Sequence, residues 1–162
     1  MEPIITKNLL IREIMPSDIN VLLSVYSKEE NMKYISSGKY DWTVEDLKGK
    51  YEKVNTDGYP QGYGIFSVVA DGKIIGEAGL FNSFENKKIL ELGYILDNKY
   101  WNRGYGTEIC EGLLNYGFNV LGLEKIIARM YPENIGSIRI CEKLNFVKVD
   151  VANVVYYQYE II

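Results

Sequence analysis

The chain has 162 residues, 47% of them apolar and 25% charged, with 18 basic and 22 acidic side chains giving a net charge of −4. That balance predicts one globular domain spanning 1–162, and the interleaved charges form no basic stripe, which argues against nucleic acid as a partner. No apolar run reaches bilayer-spanning length and no basic start precedes a long apolar block at the N-terminus, so no membrane partner is expected and the expected compartment is cytoplasmic.

Leu9 to Ile14 reads as a strand of mixed apolar and charged residues. Pro16-Ser17-Asp18 then signals a helix start, with Ser17 or Asp18 as cap and Ile19, Leu22, Leu23 and Tyr26 at helical spacing. A second helix is predicted from Thr43 to about Val54, where Thr43 and Asp46 form a loose capping box and Leu47, Tyr51 and Val54 share a face. Tyr34 to Trp42, between the two, is irregular, polar and aromatic, the kind of segment in which small molecules are met. Tyr63 to Ala70 and Lys73 to Leu80 form a hairpin around Asp71-Gly72, the dipeptide that a type I′ turn favours. Ile89 to Leu96 is a third strand, which predicts an antiparallel meander. Thr107 to Leu121 is amphipathic at helical period with Gly122 as C-cap, Glu124 to Tyr131 is a strand, and Asn134 to Leu144 is a helix with Ile138, Cys141 and Leu144 inward. Val147 to Val151 and Val154 to Ile161 form a final hairpin around Ala152-Asn153. A strand, a helix of about four turns and a strand make a βαβ unit, which forces one parallel pair into the sheet. The fold class is α/β of the mixed α+β kind, largely antiparallel.

The chemistry gathers at Tyr100-Trp101-Asn102-Arg103-Gly104-Tyr105-Gly106-Thr107, between a strand and a helix. Two glycines one residue apart let the backbone turn with its N–H groups outward, and those amides with the positive end of the helix make an anion site. Arg103 adds a charge and Thr107 a hydroxyl. No Gly-Lys-Ser/Thr follows, so this is not a Walker loop, and Ile109 stands where a dinucleotide fingerprint needs glycine. The chain contains no histidine. This removes the usual near-neutral base, every Ser-His or Cys-His nucleophile and the commonest metal ligand, so no metal is expected. Cys110 and Cys141, far apart in sequence, read as reduced thiols.

Glu91-Leu92-Gly93-Tyr94-Ile95-Leu96, the glycine turn, and the stretch from Pro132-Glu133-Asn134 through Ser137 to Asn145-Phe146 together resemble the GNAT acetyltransferase superfamily. Within it they are similar to the branch of the ribosomal-protein N-terminal acetyltransferases. Asn8 to Arg12 with Asp18 resembles that branch's opening, and Ile75 to Leu80 its third strand, so the likeness runs through nearly the whole chain. The resemblance implies a GNAT fold, with the strands at 89–96 and 124–131 parallel, central and splayed, and helices flanking the sheet. It implies acetyl-CoA as cosubstrate and an amine acceptor, joined by direct attack in a ternary complex. Amides from Asn102 to Thr107 (Asn102, Arg103, Gly104, Tyr105, Gly106, Thr107) would hold the pyrophosphate. Tyr94, Ile95 and Leu96 would pair with the pantetheine arm, with an N–H near Ile95 or Leu96 polarising the thioester carbonyl. Asn134 would contact the cofactor arm and Ser137 would sit near the sulfur, although Asn134 also suits an N-cap and Ser137 a first-turn position.

Without histidine the base would be a carboxylate acting through water, Glu91 first and Glu77 second, unless the amine arrives neutral. Each glutamate also reads as a solvent-facing strand residue. Two positions depart from the family pattern. Cys141 stands where many members carry a tyrosine that protonates the leaving thiolate, and its spacing with Ile138 and Leu144 reads as packed core. Asn145 replaces the usual glycine before phenylalanine, a mild change because Asn tolerates a left-handed conformation. Similar proteins acetylate protein N-termini, polyamines, aminoglycosides, amino acids and peptide antibiotics. The acceptor site is expected from Asn31 to Trp42 and the final hairpin, with Tyr34, Tyr40, Trp42, Tyr156 and Tyr157 as aromatic candidates. The protein is expected as a monomer or homodimer, and the alternative function is a non-catalytic acyl-CoA-binding module.

Overall fold

The fold is taken from a computed structural model, which describes residues 1–151 and 155–160. One sheet of eight strands organises it, in the order β1-β2-β3-β4-β5-β6-β8-β7. The strands are β1 (Ile4–Ile5), β2 (Leu10–Glu13), β3 (Gly64–Ala70), β4 (Lys73–Phe81), β5 (Ile89–Leu96), β6 (Lys125–Met130), β7 (Val147–Val151) and β8 (Val155–Glu160). Every neighbouring pair is antiparallel except β5 and β6. The expected meander is therefore β3-β4-β5, and the expected parallel pair follows from the crossover helix. The β3–β4 turn is as read: Asp71 and Gly72 both take positive φ, the type I′ geometry. The residues expected to turn the last hairpin, Ala152 and Asn153, lie outside the described residues.

Helices cover both faces. α1 (Ile19–Tyr26), the single turn α2 (Glu29–Met32) and α3 (Val44–Gly58) pack on one side, around Leu22, Tyr26, Met32, Leu47, Ile65 and Ile95. α4 (Tyr105–Asn119) and α5 (Ile135–Lys143) pack on the other, burying Ile109, Leu113 and Cys141 against Leu90, Ile126 and Phe146. α3 begins as predicted, with the Thr43 hydroxyl accepting from Asp46 N–H and the Asp46 carboxylate accepting from Thr43 N–H. α4 starts two residues earlier than its sequence pattern suggested, because Gly106 continues the helix rather than the turn. α2 and β1 were not foreseen, being too short to show a period. Among the described residues no helix is long and apolar enough to cross a membrane.

Asp18 does not cap α1 with its side chain. Its carboxylate accepts two bonds from Arg12, at 2.7 and 3.1 Å, and one each from the Met15 N–H and the Ser67 hydroxyl, both 2.8 Å. The group thus fastens the start of α1 to β2 and β3. Burial alone would raise the Asp18 pKa, but these donors hold it below the usual carboxylate value. A carboxyl depressed in the folded state stabilises above its unfolded pKa and loses that contribution as pH falls through the folded one. Asp18→Asn should therefore cost about 2–4 kcal/mol near neutrality. Urea unfolding should show the gap to the wild type closing as pH drops below about 4, and a constant gap across that range would refute the assignment.

Candidate functional site

β5 and β6 pair in register only at Ile89 with Lys125, Leu90 with Ile126 and Glu91 with Ile127. Both strands continue, β5 to Leu96 and β6 to Met130, but the ladder does not. The strands splay into a wedge that opens toward the C-terminal end of β5. On its other side β5 stays paired to β4 from Glu91 to Leu96, with Ile95 opposite Glu77 and Leu96 opposite Gly76. Asp97 N–H donates to the Ile75 carbonyl, so the antiparallel alternation turns the backbone groups of Ile95 and Gly93 toward β4. Those of Tyr94 and Leu96 then face the wedge. The Ile95 N–H, one of the two considered for a polarising role, belongs to the ladder.

A cavity of about 110 Å³ occupies the wedge. Leu92, Gly93 and Tyr94 of β5 form one wall, and Ala128, Arg129 and Met130 of β6 the other. α5 contributes Ser137 and Cys141 at one mouth, with Asn134 before it. Tyr34 and Ile35 close the opposite mouth, where the Tyr131 hydroxyl donates to the Ser36 carbonyl at 2.7 Å and ties the loop to the end of β6. Of the other aromatic candidates, Trp42 packs edge-on against Tyr26, Tyr40 is exposed, and Tyr157 is buried in the α5 core with its hydroxyl donating to Glu142. None of these three lines the cavity.

A single 3-10 turn, Asn98–Tyr100, leads from β5 to the glycine turn. Trp101 Nε1–H donates to the Leu96 carbonyl at 2.7 Å and pins the turn to the strand end. Asn102 and Gly104 take positive φ, 61° and 82°, and Gly104 is the N-cap of α4. Glu108 N–H bonds to the Gly104 carbonyl. Helix geometry leaves the N–H groups of Tyr105, Gly106 and Thr107 without an intrahelical acceptor. Arg103, exposed, lies over the Tyr100 ring, as does Lys99. A Cβ on Gly106 would come within 2.9 Å of Ile140 Cδ1 and 3.6 Å of the Tyr94 hydroxyl, so that glycine allows α4, α5 and β5 to meet. Asn134 caps α5, its side-chain oxygen accepting from Ser137 N–H at 3.3 Å, and the Ser137 hydroxyl lies 3.1 Å from that of Tyr94.

Glu91 is not presented as a free base. Arg129 grips its carboxylate through both Nε and Nη2, Ser83 donates to Oε1 at 2.9 Å, and the Phe84 ring lies against the guanidinium. Glu77 is 3% exposed rather than solvent-facing. It accepts from the Tyr51 hydroxyl at 2.6 Å and pairs with Lys50, whose ammonium also bonds to Tyr26 and lies over the Tyr26 and Trp42 rings. The Glu91–Arg129 pair spans 38 residues of sequence and carried no local signal. Among the described residues no group of three or more His, Cys, Asp or Glu side chains is placed to hold a metal ion.

Cys141 is buried against the apolar core, and burial pushes its thiol up to about 12; Cys110 beside it shifts the same way for the same reason. A thiol so placed stays protonated and releases its proton poorly. Both should resist dithiobis(nitrobenzoate) at about pH 8 in the folded protein and react fully in urea. Rapid labelling of either thiol in the native state would show that its burial is wrong.

The arrangement suits an extended, amide-bearing molecule laid against β5 with an anionic group at the start of α4. A family model described as "Acetyltransferase (GNAT) domain" matches residues 8–147. An uncharacterised N-acetyltransferase of Bacillus subtilis, YnaD, is 34% identical over 143 residues, covering 87% of this chain and 80% of its own length. The crystal structure of a GNAT-family acetyltransferase from Bacillus anthracis superposes with a TM-score of 0.83 at 27% identity, covering 98% of both chains. Spermidine N-acetyltransferase from Vibrio cholerae, in complex with CoA and spermine, gives 0.83 at 18% identity over 96% of both chains. The ribosomal L7/L12 α-N-protein acetyltransferase RimL in complex with coenzyme A gives 0.85 at 15% identity, over 99% and 98%.

Proposed function

Because this chain belongs to the GNAT acetyltransferase family, we propose that it moves the acetyl group of acetyl-CoA onto a primary amine by direct attack in a ternary complex. The observation that carries this reading is the wedge, where β5 parts from β6 beside an N-terminal helix turn. In it the amides from Asn102 to Thr107, with the Arg103 side chain, hold the pyrophosphate. The Tyr94 backbone pairs with the pantetheine arm as a missing strand would, while Ile95 serves through its buried side chain. The Leu96 N–H, at the open end of the wedge, polarises the thioester carbonyl. Asn134 spends its oxygen on Ser137 N–H and offers its amide N–H to the arm, and Ser137 meets the sulfur. Bound acetyl-CoA supplies an activated acyl group, so no covalent step on the protein is needed.

Glu91 changes role in this reading. With Arg129 and Ser83 bonded to its oxygens, its carboxylate is committed to those donors and holds Arg129 on the cavity wall. The amine arrives neutral or gives its proton to water. The acceptor is a protein N-terminus or a small-molecule amine that enters past Tyr34 and Ile35. Membership of the ribosomal-protein N-terminal branch, and a single acetyltransferase domain over 1–162, extend the same reading. The family match over 8–147 and the sheet running from β1 to β8 support the latter.

Thiol release from acetyl-CoA should appear with at least one member of a panel of peptide N-termini, spermidine, an aminoglycoside and free amino acids. Tight CoA binding with no turnover across the panel would favour a binding module instead. The rate should rise with pH as the amine deprotonates, and Glu91→Gln should leave that rising limb in place; its disappearance would restore Glu91 as the base. Space around a Cβ at Gly104 is open, so Gly104→Glu should keep the circular dichroism while weakening CoA binding about tenfold or more through like-charge repulsion and a strained left-handed residue. Unchanged affinity would mean the pyrophosphate lies elsewhere.

A further inference from the structure

Resting on the acetyl-transfer reading, we infer that Tyr94 is a positioning residue for the leaving group: its hydroxyl donates to Ser137 Oγ and thereby turns the Ser137 proton toward the sulfur. The two hydroxyls are 3.1 Å apart, and both residues line the wedge cavity. They come from different elements, Tyr94 from the middle of β5 and Ser137 from the first turn of α5. Ser137 is fixed at its backbone, where its N–H bonds to the Asn134 side chain. Only its hydroxyl rotor is left to be set, and a donor at Oγ sets it. Tyr94 is itself clamped, because its hydroxyl lies under the first turn of α4, 3.6 Å from where a Gly106 Cβ would be. Burial raises the phenol's pKa well above the usual value, so it stays protonated as a donor across the working range.

The position suits the electrostatics of departure. The first turns of α4 and α5 both reach this hydroxyl pair, and helix N-termini favour negative charge. As the amine nitrogen bonds to the acetyl carbon, the C–S bond breaks and its electron pair passes to sulfur. Ser137 keeps its proton and donates it to the developing thiolate as a hydrogen bond. The proton lost by nitrogen reaches sulfur through solvent, which completes the balance. Cys141, buried against the apolar core, has no part in this step.

Tyr94→Phe removes one oxygen and keeps the packed ring. With acetyl-CoA and the best amine of the panel, it should lower kcat about five- to tenfold and leave KM for acetyl-CoA within about twofold. Slow hydrolysis of acetyl-CoA without amine, followed by thiol release, should fall by the same factor. Ser137→Ala should lose at least as much, and the double variant should be no slower than Ser137→Ala alone, because Tyr94 acts only through Ser137. Unchanged CoA affinity of Tyr94→Phe by calorimetry separates this effect from a collapsed cavity. Full kcat in Tyr94→Phe, or losses that multiply in the double variant, would overturn the pair while leaving acetyl transfer intact. Failure of the wild type to bind CoA would instead remove the underlying reading.

Discussion

The structure turns on one interruption: the ladder between β5 and β6 ends at Glu91 and Ile127 while both strands run on. A parallel pair needs a crossover, and α4 supplies it, which places a helix N-terminus at the end of β5. The unpaired edge beyond Glu91 leaves backbone polar groups that a folded protein must satisfy with water or a ligand. The neighbouring elements are arranged around that edge. α5 starts beside it, the Tyr34–Ser36 loop closes it from the other face, and the Glu91–Arg129 pair bridges the strands at the apex where pairing stops. That pair clasps the two strands at the apex.

Buried charge holds the remaining layer in place. Asp18 joins α1 to β2 and β3, and Asp97 joins the segment around α2 to the end of β5 through Lys28 at 2.8 Å and Asn31 at 3.0 Å. Burial pushes the Asp97 pKa up, while Lys28 and Asn31 outweigh it and hold the carboxyl below the usual range. Glu77 joins α3 to β4 by way of Tyr51 and Lys50. Breaking such a pair strands a charge in apolar surroundings, which costs far more than the pair contributes. The loop between α2 and α3 is therefore flanked by anchored helices, and its first residues, Tyr34 and Ile35, lie against the cavity.

The turn, the hairpins and the helix faces were legible because each rests on local chemistry. Asp71-Gly72, the Thr43 and Asp46 box, and Asn145, which adopts φ 67°, follow from residue type within a few positions. The helix of Asn134 was legible for the same reason, although its bond to Ser137 is the capping role and leaves its other hydrogens for the wedge. What was not legible depends on contacts between distant segments. Glu91 and Glu77 both look like solvent-facing strand residues, and only the folded sheet puts Arg129 on one and Tyr51 on the other. Strand alternation likewise hides which amides are free: Ile95 and Leu96 are adjacent in sequence but face opposite neighbours. Tyr157 read as one of five aromatic candidates for the acceptor site, yet it is committed to the core.

Read from sequence, a cysteine at position 141, where many members of the superfamily the chain resembles carry a tyrosine, leaves the acid for the departing thiolate unassigned. In three dimensions two hydroxyls border the wedge, that of Ser137 from α5 and that of Tyr94 from β5, and they lie 3.1 Å apart. A tyrosine on α5 would compete for that volume with the Tyr94 ring, which already packs beside Cys110 and Cys141. A small, apolar residue at 141 is then the complement of a large, hydroxyl-bearing one at 94. Cysteine fits because it behaves as a compact hydrophobe when buried, and its raised pKa keeps a second ionising group out of the site. Cys141 of α5 and Tyr94 of β5 thus share the wall of one cavity.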